Sequence, residues 1–261
     1  MTARLARLNV TPVKGMALAH PAAVELTAAG IPSNRLFFLV NEAGTLYTAG
    51  DHGPLVRLQP QYDPIAETLG VAFPDGTVVV GAADRLGRAH VTDMWGRPVP
   101  GRILEGSLAE AVSAYVGRPL DVVRADAEGD GPDVHRLTLM ALASVRDLGS
   151  RHGRPGLDPL RFRMNLELDG CDPYEEDSWT GRQVRVGAAV VRVLGQVPRC
   201  VLTTRDPVAG LKDFDTLKAI SAYRPLMEES RGVPFGMYAE VEVPGRIAVG
   251  DPVEPLEPVS S

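Results

Sequence analysis

The sequence holds only two cysteines, Cys171 and Cys200, in 261 residues. That excludes a disulfide framework, and neither cysteine lies in a CxxC pair. The histidines, His20, His52, His90, His135 and His152, show no HxH or HxxxH spacing, which argues against an ordinary zinc site. Positive charge is scarce: 27 Lys and Arg against 33 Asp and Glu leave a net charge of −6. A general nucleic-acid binder needs a basic field that this chain lacks. No run approaches the ~18 apolar residues of a membrane-spanning helix. The N-terminal MTARLARLNVTPVKG lacks the apolar core of roughly 7–15 residues that a secretory signal requires. The expectation is a cytoplasmic protein with no nucleic-acid and no membrane partner. Also missing are GxGxxG after a strand, GxxxxGK[ST] and GxSxG, so neither phosphate-cradling loops nor a hydrolase nucleophile elbow are supported.

What is abundant is glycine and proline, 27 and 22, which cut the chain into short pieces. Most pieces read as strands. RLFFLVNEAGTLYTA predicts a hairpin turning at Asn41-Glu42-Ala43-Gly44, and VAFPDGTVVVG one turning at Pro74-Asp75-Gly76. Three helices are expected. SLAEAVSAYVG (107–117) has Ser107 and Glu110 in capping-box spacing and exits at Gly117. SVRDLGSRHG (144–153) opens on Ser144 with Asp147 at the same spacing, and DTLKAISAYR (215–224) opens on Asp215 and stops before Pro225. Between the first two, RADAEGDGPDV (124–134) is acidic and turn-rich, the best linker candidate. Beyond it strands return, and the pattern suggests β-barrels in two parts rather than a βαβ series.

Several residues could carry chemistry. RFRMNLEL (161–168), read as a strand, puts Phe162, Met164, Leu166 and Leu168 on one face and Arg161, Arg163, Asn165 and Glu167 on the other. Two arginines and an amide in a row suit an anion rich in acceptor oxygens; an ordinary solvated face fits the same pattern. Lys14, in PVKG, is either a point charge for phosphate or a surface lysine. Arg35, ahead of LFFLV, can bind an anion or pair with a carboxylate. His135, before an apolar stretch, reads as a hydrogen-bonded structural residue. Cys200, in VPRCVLTTRDPVAG, stands beside Arg199, whose charge favours the thiolate that ligates metals or attacks; a small buried hydrophobe is the alternative. Cys171 lies among acidic residues that raise a thiol pKa, and reads as structural.

Taken in order, VTPVKGMAL, GIPSNRLFFLV, FRMNLEL, YEEDSW, VPRCVLTTRDPVAG, LKAISAYR and FGMYAEVEVPGRIAVGDPV resemble a MOSC domain preceded by a MOSC N-terminal β-barrel domain. The layout is similar to that of the amidoxime-reducing components and their bacterial relatives. The resemblance implies a mixed α/β, β-rich fold: a MOSC N-terminal β-barrel-like domain over 1–123 and a MOSC β-barrel with peripheral helices over 124–261. It implies a molybdenum cofactor (Mo-molybdopterin), with Cys200 as metal ligand and catalytic residue. Lys14, Gly15, Arg35, His135, Arg163, Asn165, Arg199 and Tyr238 fall at positions expected to surround that cofactor. Pro198, Met164, Asn34, Gly15 and His135 depart from the residues usual in the family. The implied activity is two-electron reduction of a small N-hydroxylated or N-oxide substrate with loss of water. No cysteine-rich ferredoxin segment is seen, so the electrons are expected from a separate ferredoxin- or flavoprotein-type partner. The rival readings are a non-redox cofactor carrier, a persulfide carrier using Cys200, and an inert β-rich scaffold.

Overall fold

The structure, a computed structural model, describes residues 3–257. Within them the chain opens with β1 (Arg4–Leu8) and β2 (Ala23–Leu26). A strand-rich stretch follows: β3 (Phe37–Asn41), β4 (Leu46–Tyr47), β5 (Gln59–Asp63), β6 (Thr68–Ala72), β7 (Val78–Ala82), β8 (Leu86–Met94), β9 (Arg97–Leu104), α1 (Ser107–Val116) and β10 (Leu120–Ala125). The last stretch is β11 (Leu137–Ala141), α2 (Leu142–Arg151), β12 (Leu166–Asp169), β13 (Gln183–Val186), β14 (Ala189–Arg199), α3 (Thr216–Ser221), β15 (Val233–Val243), β16 (Gly245–Ala248) and β17 (Val253–Pro255). None of the described helices is long and apolar enough to cross a membrane.

The strands build two β-rich halves. In the first, a five-stranded sheet of order β4-β3-β10-β9-β8 packs with the three-stranded β5-β6-β7. Phe37, Phe38 and Leu39 of β3 meet Leu55, Leu69 and Val123 in its core. The second half is a seven-stranded sheet of order β1-β12-β11-β15-β14-β13-β17. It is nearly closed, because the backbone of β1 also bonds back to the 250–253 segment: Leu5 N–H donates to Asp251 at 2.9 Å and Gly250 N–H to Leu5 at 2.7 Å. Closure removes the exposed edges that an open sheet would present.

Chain order and packing diverge at the front. The stretch 1–123 is expected as one domain, yet Leu5, Leu8, Leu26 and Ile31 lie in the core of the second half, while β2 pairs with β16. The reason is β12. Its Glu167 is fully buried and is satisfied by Arg7 Nε at 2.9 Å and Asn9 Nδ2 at 2.9 Å. Burying a carboxylate demands such partners, and among the described residues the β1 segment supplies them. The first barrel proper takes over near Val13 and Met16.

Both anticipated hairpins form, at 41–44 between β3 and β4 and at 74–76 between β6 and β7. The segment 161–168 is not one alternating strand. Asp158 accepts from Leu160 N–H at 2.9 Å and Pro159 starts a 3-10 turn over Pro159–Phe162, which Arg163 ends at φ 53°. β12 begins only at Leu166, and of the residues read as a polar face for solvent or a ligand, Glu167 is paired by Arg7 and Asn9 while Arg161, Arg163 and Asn165 line a cleft. The helix starts also differ. Ser107 makes no capping bond, since Gly106 holds the cap position. Ser144 sits inside α2, buried, and donates to Glu176 at 2.9 Å. Asp215 does cap α3, accepting from Lys218 N–H at 3.1 Å.

Candidate functional site

β14 ends at Arg199, and the chain leaves the sheet through Cys200 into a 3-10 turn, Val201–Thr204. Thr203 N–H and Thr203 Oγ1 both donate to the Cys200 carbonyl, at 3.2 and 3.0 Å. Thr204 Oγ1 donates to Val201 at 2.8 Å. The two threonines of the motif therefore fix the turn rather than reach for a ligand. The Cys200 thiol is free and exposed and caps nothing. Cys171, by contrast, is buried, and burial together with Glu175 and Glu176 pushes its thiol up to about 12.

Cys200 opens onto a cleft lined from both halves of the chain, and all nine sequence-selected residues line it: Lys14, Gly15, Arg35, His135, Arg163, Asn165, Arg199, Cys200 and Tyr238. The cations are held by backbone oxygens. Arg199 donates from Nε to Phe235 O at 2.7 Å and from Nη1 to Phe162 O at 3.0 Å. Its guanidinium lies 5.5 Å over the Phe162 ring. Arg163 donates to Met16 O at 2.6 Å, and Arg35 to Arg163 O at 3.2 Å. Lys14 is buried, donates to Gly131 O at 2.8 Å and pairs with Asp133. Asp133 also lies 3.7 Å from Arg35 Nη1.

The charge balance is lopsided. Asp133 serves Lys14 and Arg35, whereas Arg163 and Arg199 have no salt-bridge partner among the described residues. Taking these cations from water lowers their proton affinity: burial brings Lys14 to about 8, Arg163 to about 9 and Arg199 to about 10. Arg35 lowers Arg163 further, and Cys200 pulls both arginines the other way. Cations held this way are complemented by an anion with several acceptors.

The neutral members are partly committed. Asn165 donates to Asn9 O at 3.1 Å and accepts from Thr138 Oγ1 at 3.0 Å, leaving one amide hydrogen and one lone pair. His135 Nδ1 lies 3.1 Å from Glu240 Oε1, and its ring packs 4.9 Å from that of Tyr238. Burial, then Asp133, pushes the Tyr238 phenol up to about 12. Gly15 has φ +87°, and a Cβ there would press to 3.1 Å from Ala49 N, so a hydroxymethyl side chain is strained at that position.

Asp133 and Trp95 are cleft residues that escaped the sequence reading. Asp133 lies in the acidic stretch read as a linker; that stretch instead brings both Asp133 and the Gly131 carbonyl to Lys14. Trp95, at the β8–β9 turn, lies with its ring centroid 5.1 Å from Lys14 Nζ. Its signal was a tryptophan before glycine where a hairpin turn normally takes Asn or Asp.

The donor set fits an acceptor-rich anion that brings metal ligands of its own. Among the described residues no cluster of three or more His, Cys, Asp or Glu could hold a bare ion. One open thiol beside four cations instead suits a metal already chelated by sulfur.

The profile of the MOSC N-terminal beta barrel domain matches residues 2–119, and that of the MOSC domain residues 126–254. The chain is 27% identical over 278 aligned positions to mitochondrial amidoxime-reducing component 1 of Homo sapiens, covering 95% of this chain and 82% of that protein. It is 31% identical over 99 positions to molybdenum cofactor sulfurase of Oryza sativa subsp. japonica, covering 34% of this chain and 12% of the other. Among solved structures, the YUAD protein from Bacillus subtilis aligns with a TM-score of 0.45 at 13% identity, over 97% of this chain and 95% of that one.

Proposed function

Since the chain belongs to the MOSC family, a MOSC N-terminal beta barrel domain followed by a MOSC domain, we propose that its cleft holds a molybdenum cofactor and reduces N-hydroxylated compounds. The observation that carries this reading is the free, exposed Cys200 thiol in one cleft with two partly buried arginines that have no carboxylate partner among the described residues. When bound, the cofactor supplies two-electron chemistry at a metal that accepts thiolate.

The chain's own residues then have distinct tasks. Cys200 ligates the metal through Sγ and sets its place at the end of β14. Arg163 and Arg199, fixed by backbone carbonyls, and Lys14 and Arg35, shared with Asp133, hold the anionic end of the cofactor. His135 donates from Nδ1 to Glu240, because a carboxylate only accepts, and so keeps a proton on that nitrogen beside the cleft. The net reaction takes an N-hydroxylated compound, two electrons and two protons to the N–H compound and water. The electrons come from a separate ferredoxin- or flavoprotein-type donor. The Homo sapiens relative is named for amidoxime reduction, which supports this substrate class.

The open thiol favours a second reading, in which Cys200 carries sulfur as a persulfide or the protein only stores cofactor. Elemental mass spectrometry separates the persulfide carrier, and an amidoxime turnover assay separates the cofactor store, on protein made in a host with active molybdopterin synthesis. The expected result is near-stoichiometric molybdenum, lost in Cys200→Ala, and reduction of an amidoxime in the presence of a chemical electron donor. Protein without molybdenum but with labile sulfur on Cys200 would falsify the reductase and leave the carrier.

A further inference from the structure

We propose that Trp95 is a specificity-determining residue: its indole receives planar, conjugated N-hydroxylated substrates at the mouth of the cleft and so favours them over aliphatic ones, on which it has no hold. This rests on the reductase reading above. Met94 pairs with Arg97, so Trp95 and Gly96 are a two-residue loop, with φ values of 55° and 83°. Loops of this kind take Asn-Gly or Asp-Gly, since both central residues need positive φ. A bulky residue there is an outlier, and such outliers gather at ligand clamps. Folding gives no reason for the choice, because the side chain is 62% exposed.

The loop that carries the ring is nonetheless held in place. Gly96 N–H donates to Asp93 at 2.6 Å, closing the turn. Arg97 Nη2 donates to Asp130 O at 2.6 Å and Pro132 O at 2.7 Å, clipping the hairpin to the segment that carries Asp133 and His135. Trp95 lines the same cleft as Cys200, beside the Lys14 ammonium. The exposed indole gives the cleft an apolar face beside its cations. A flat ring carrying a polar N–O group matches both, stacking outside and directing the reacting group inward.

A planar ring at Trp95 could belong to substrate or to the pterin of the cofactor, and the test separates them. Trp95→Asn suits the turn and keeps the fold; Trp95→Phe keeps a stacking face. On molybdenum-loaded protein, benzamidoxime and acetamidoxime serve as the flat and the aliphatic probe. The expected result is a KM for benzamidoxime raised about tenfold in Trp95→Asn with kcat little changed, near-normal values in Trp95→Phe, and no change for acetamidoxime. A second readout needs no turnover. Acrylamide quenches exposed Trp95 and not Trp179, which is 1% exposed. Benzamidine, the reduced product, should protect the loaded protein from quenching, and the Trp95→Asn control should lack the signal. If cofactor loading alone shields Trp95 and benzamidine adds nothing, the ring serves the pterin and the proposal is overturned. Equal losses on both amidoximes, or no loss on either, overturn it too while the reductase stands. Reduction of neither amidoxime by the unsubstituted loaded protein removes the reductase and this proposal with it.

Discussion

Lys14 shows how a single buried residue makes the site depend on pH. Burial is the main force lowering its pKa to about 8, partly opposed by Asp133. Between about 8 and the ordinary 10.5 the unfolded chain binds more protons than the folded one. Raising pH through that window therefore adds stability from this group. For an anionic ligand the sign reverses, because only protonated Lys14 attracts it. Affinity for inorganic pyrophosphate, measured by calorimetry, is expected to fall between pH 7 and pH 9, and Lys14→Met to flatten that fall. A fall of equal size in Lys14→Met would assign the effect to another group. At this scale the sequence was informative about cations and thiol, because they sit in short ordered motifs. It was silent on Asp133, one acid among several in RADAEGDGPDV, since nothing local says which carboxylate meets a lysine over a hundred positions away. It also marked Arg199 as a neighbour of Cys200 without revealing that its guanidinium turns to the Phe235 and Phe162 carbonyls.

Among the elements, those governed by turn chemistry were readable and those governed by tertiary cover were not. The two hairpins follow from Gly, Asp and Asn at their tips. RFRMNLEL reads as a strand by alternation, but its first half turns because Asp158 and Pro159 seed a 3-10 turn, and its buried Glu167 is satisfied by Arg7 and Asn9, far away in sequence. The seam between the halves is equally invisible in sequence. Gly53, which starts a 3-10 turn over Gly53–Arg57, meets Gly210 backbone to backbone. A Cβ on Gly53 would lie 1.9 Å from Gly210 O, and one on Gly210 2.2 Å from Gly53 O. Arg205 stitches the same seam, donating to Gly50 O at 3.1 Å and Gly210 O at 3.2 Å. Gly53→Ala is expected to destabilise by about 1–3 kcal/mol in chemical denaturation, the usual range for overpacking, and to lower molybdenum occupancy because the cleft spans this seam. Unchanged stability would mean that the seam yields freely.

For the whole molecule, the two family matches meet near residue 120, but the cores do not part there. A chain beginning at residue 124 would lose β1, leaving Glu167 buried without Arg7 or Asn9 and the sheet edge at β12 bare. Stripping the partners from a buried charge costs about 3–5 kcal/mol, a large fraction of what holds an average domain together. Such a fragment is expected to be insoluble or to lack a cooperative unfolding transition by circular dichroism, whereas the full chain should unfold in one step. A soluble, cooperatively folded fragment would show that β1 is dispensable. The placement of β1 also bears on how the protein is made. Leu5 and Leu8 leave the ribosome well before β12, their partner strand, which starts at Leu166, and before the closing 250–253 segment. At ordinary rates of translation the wait is on the order of ten seconds or more. During it a greasy strand has no native mate, so the second barrel is completed only when a late part of the chain meets an early one.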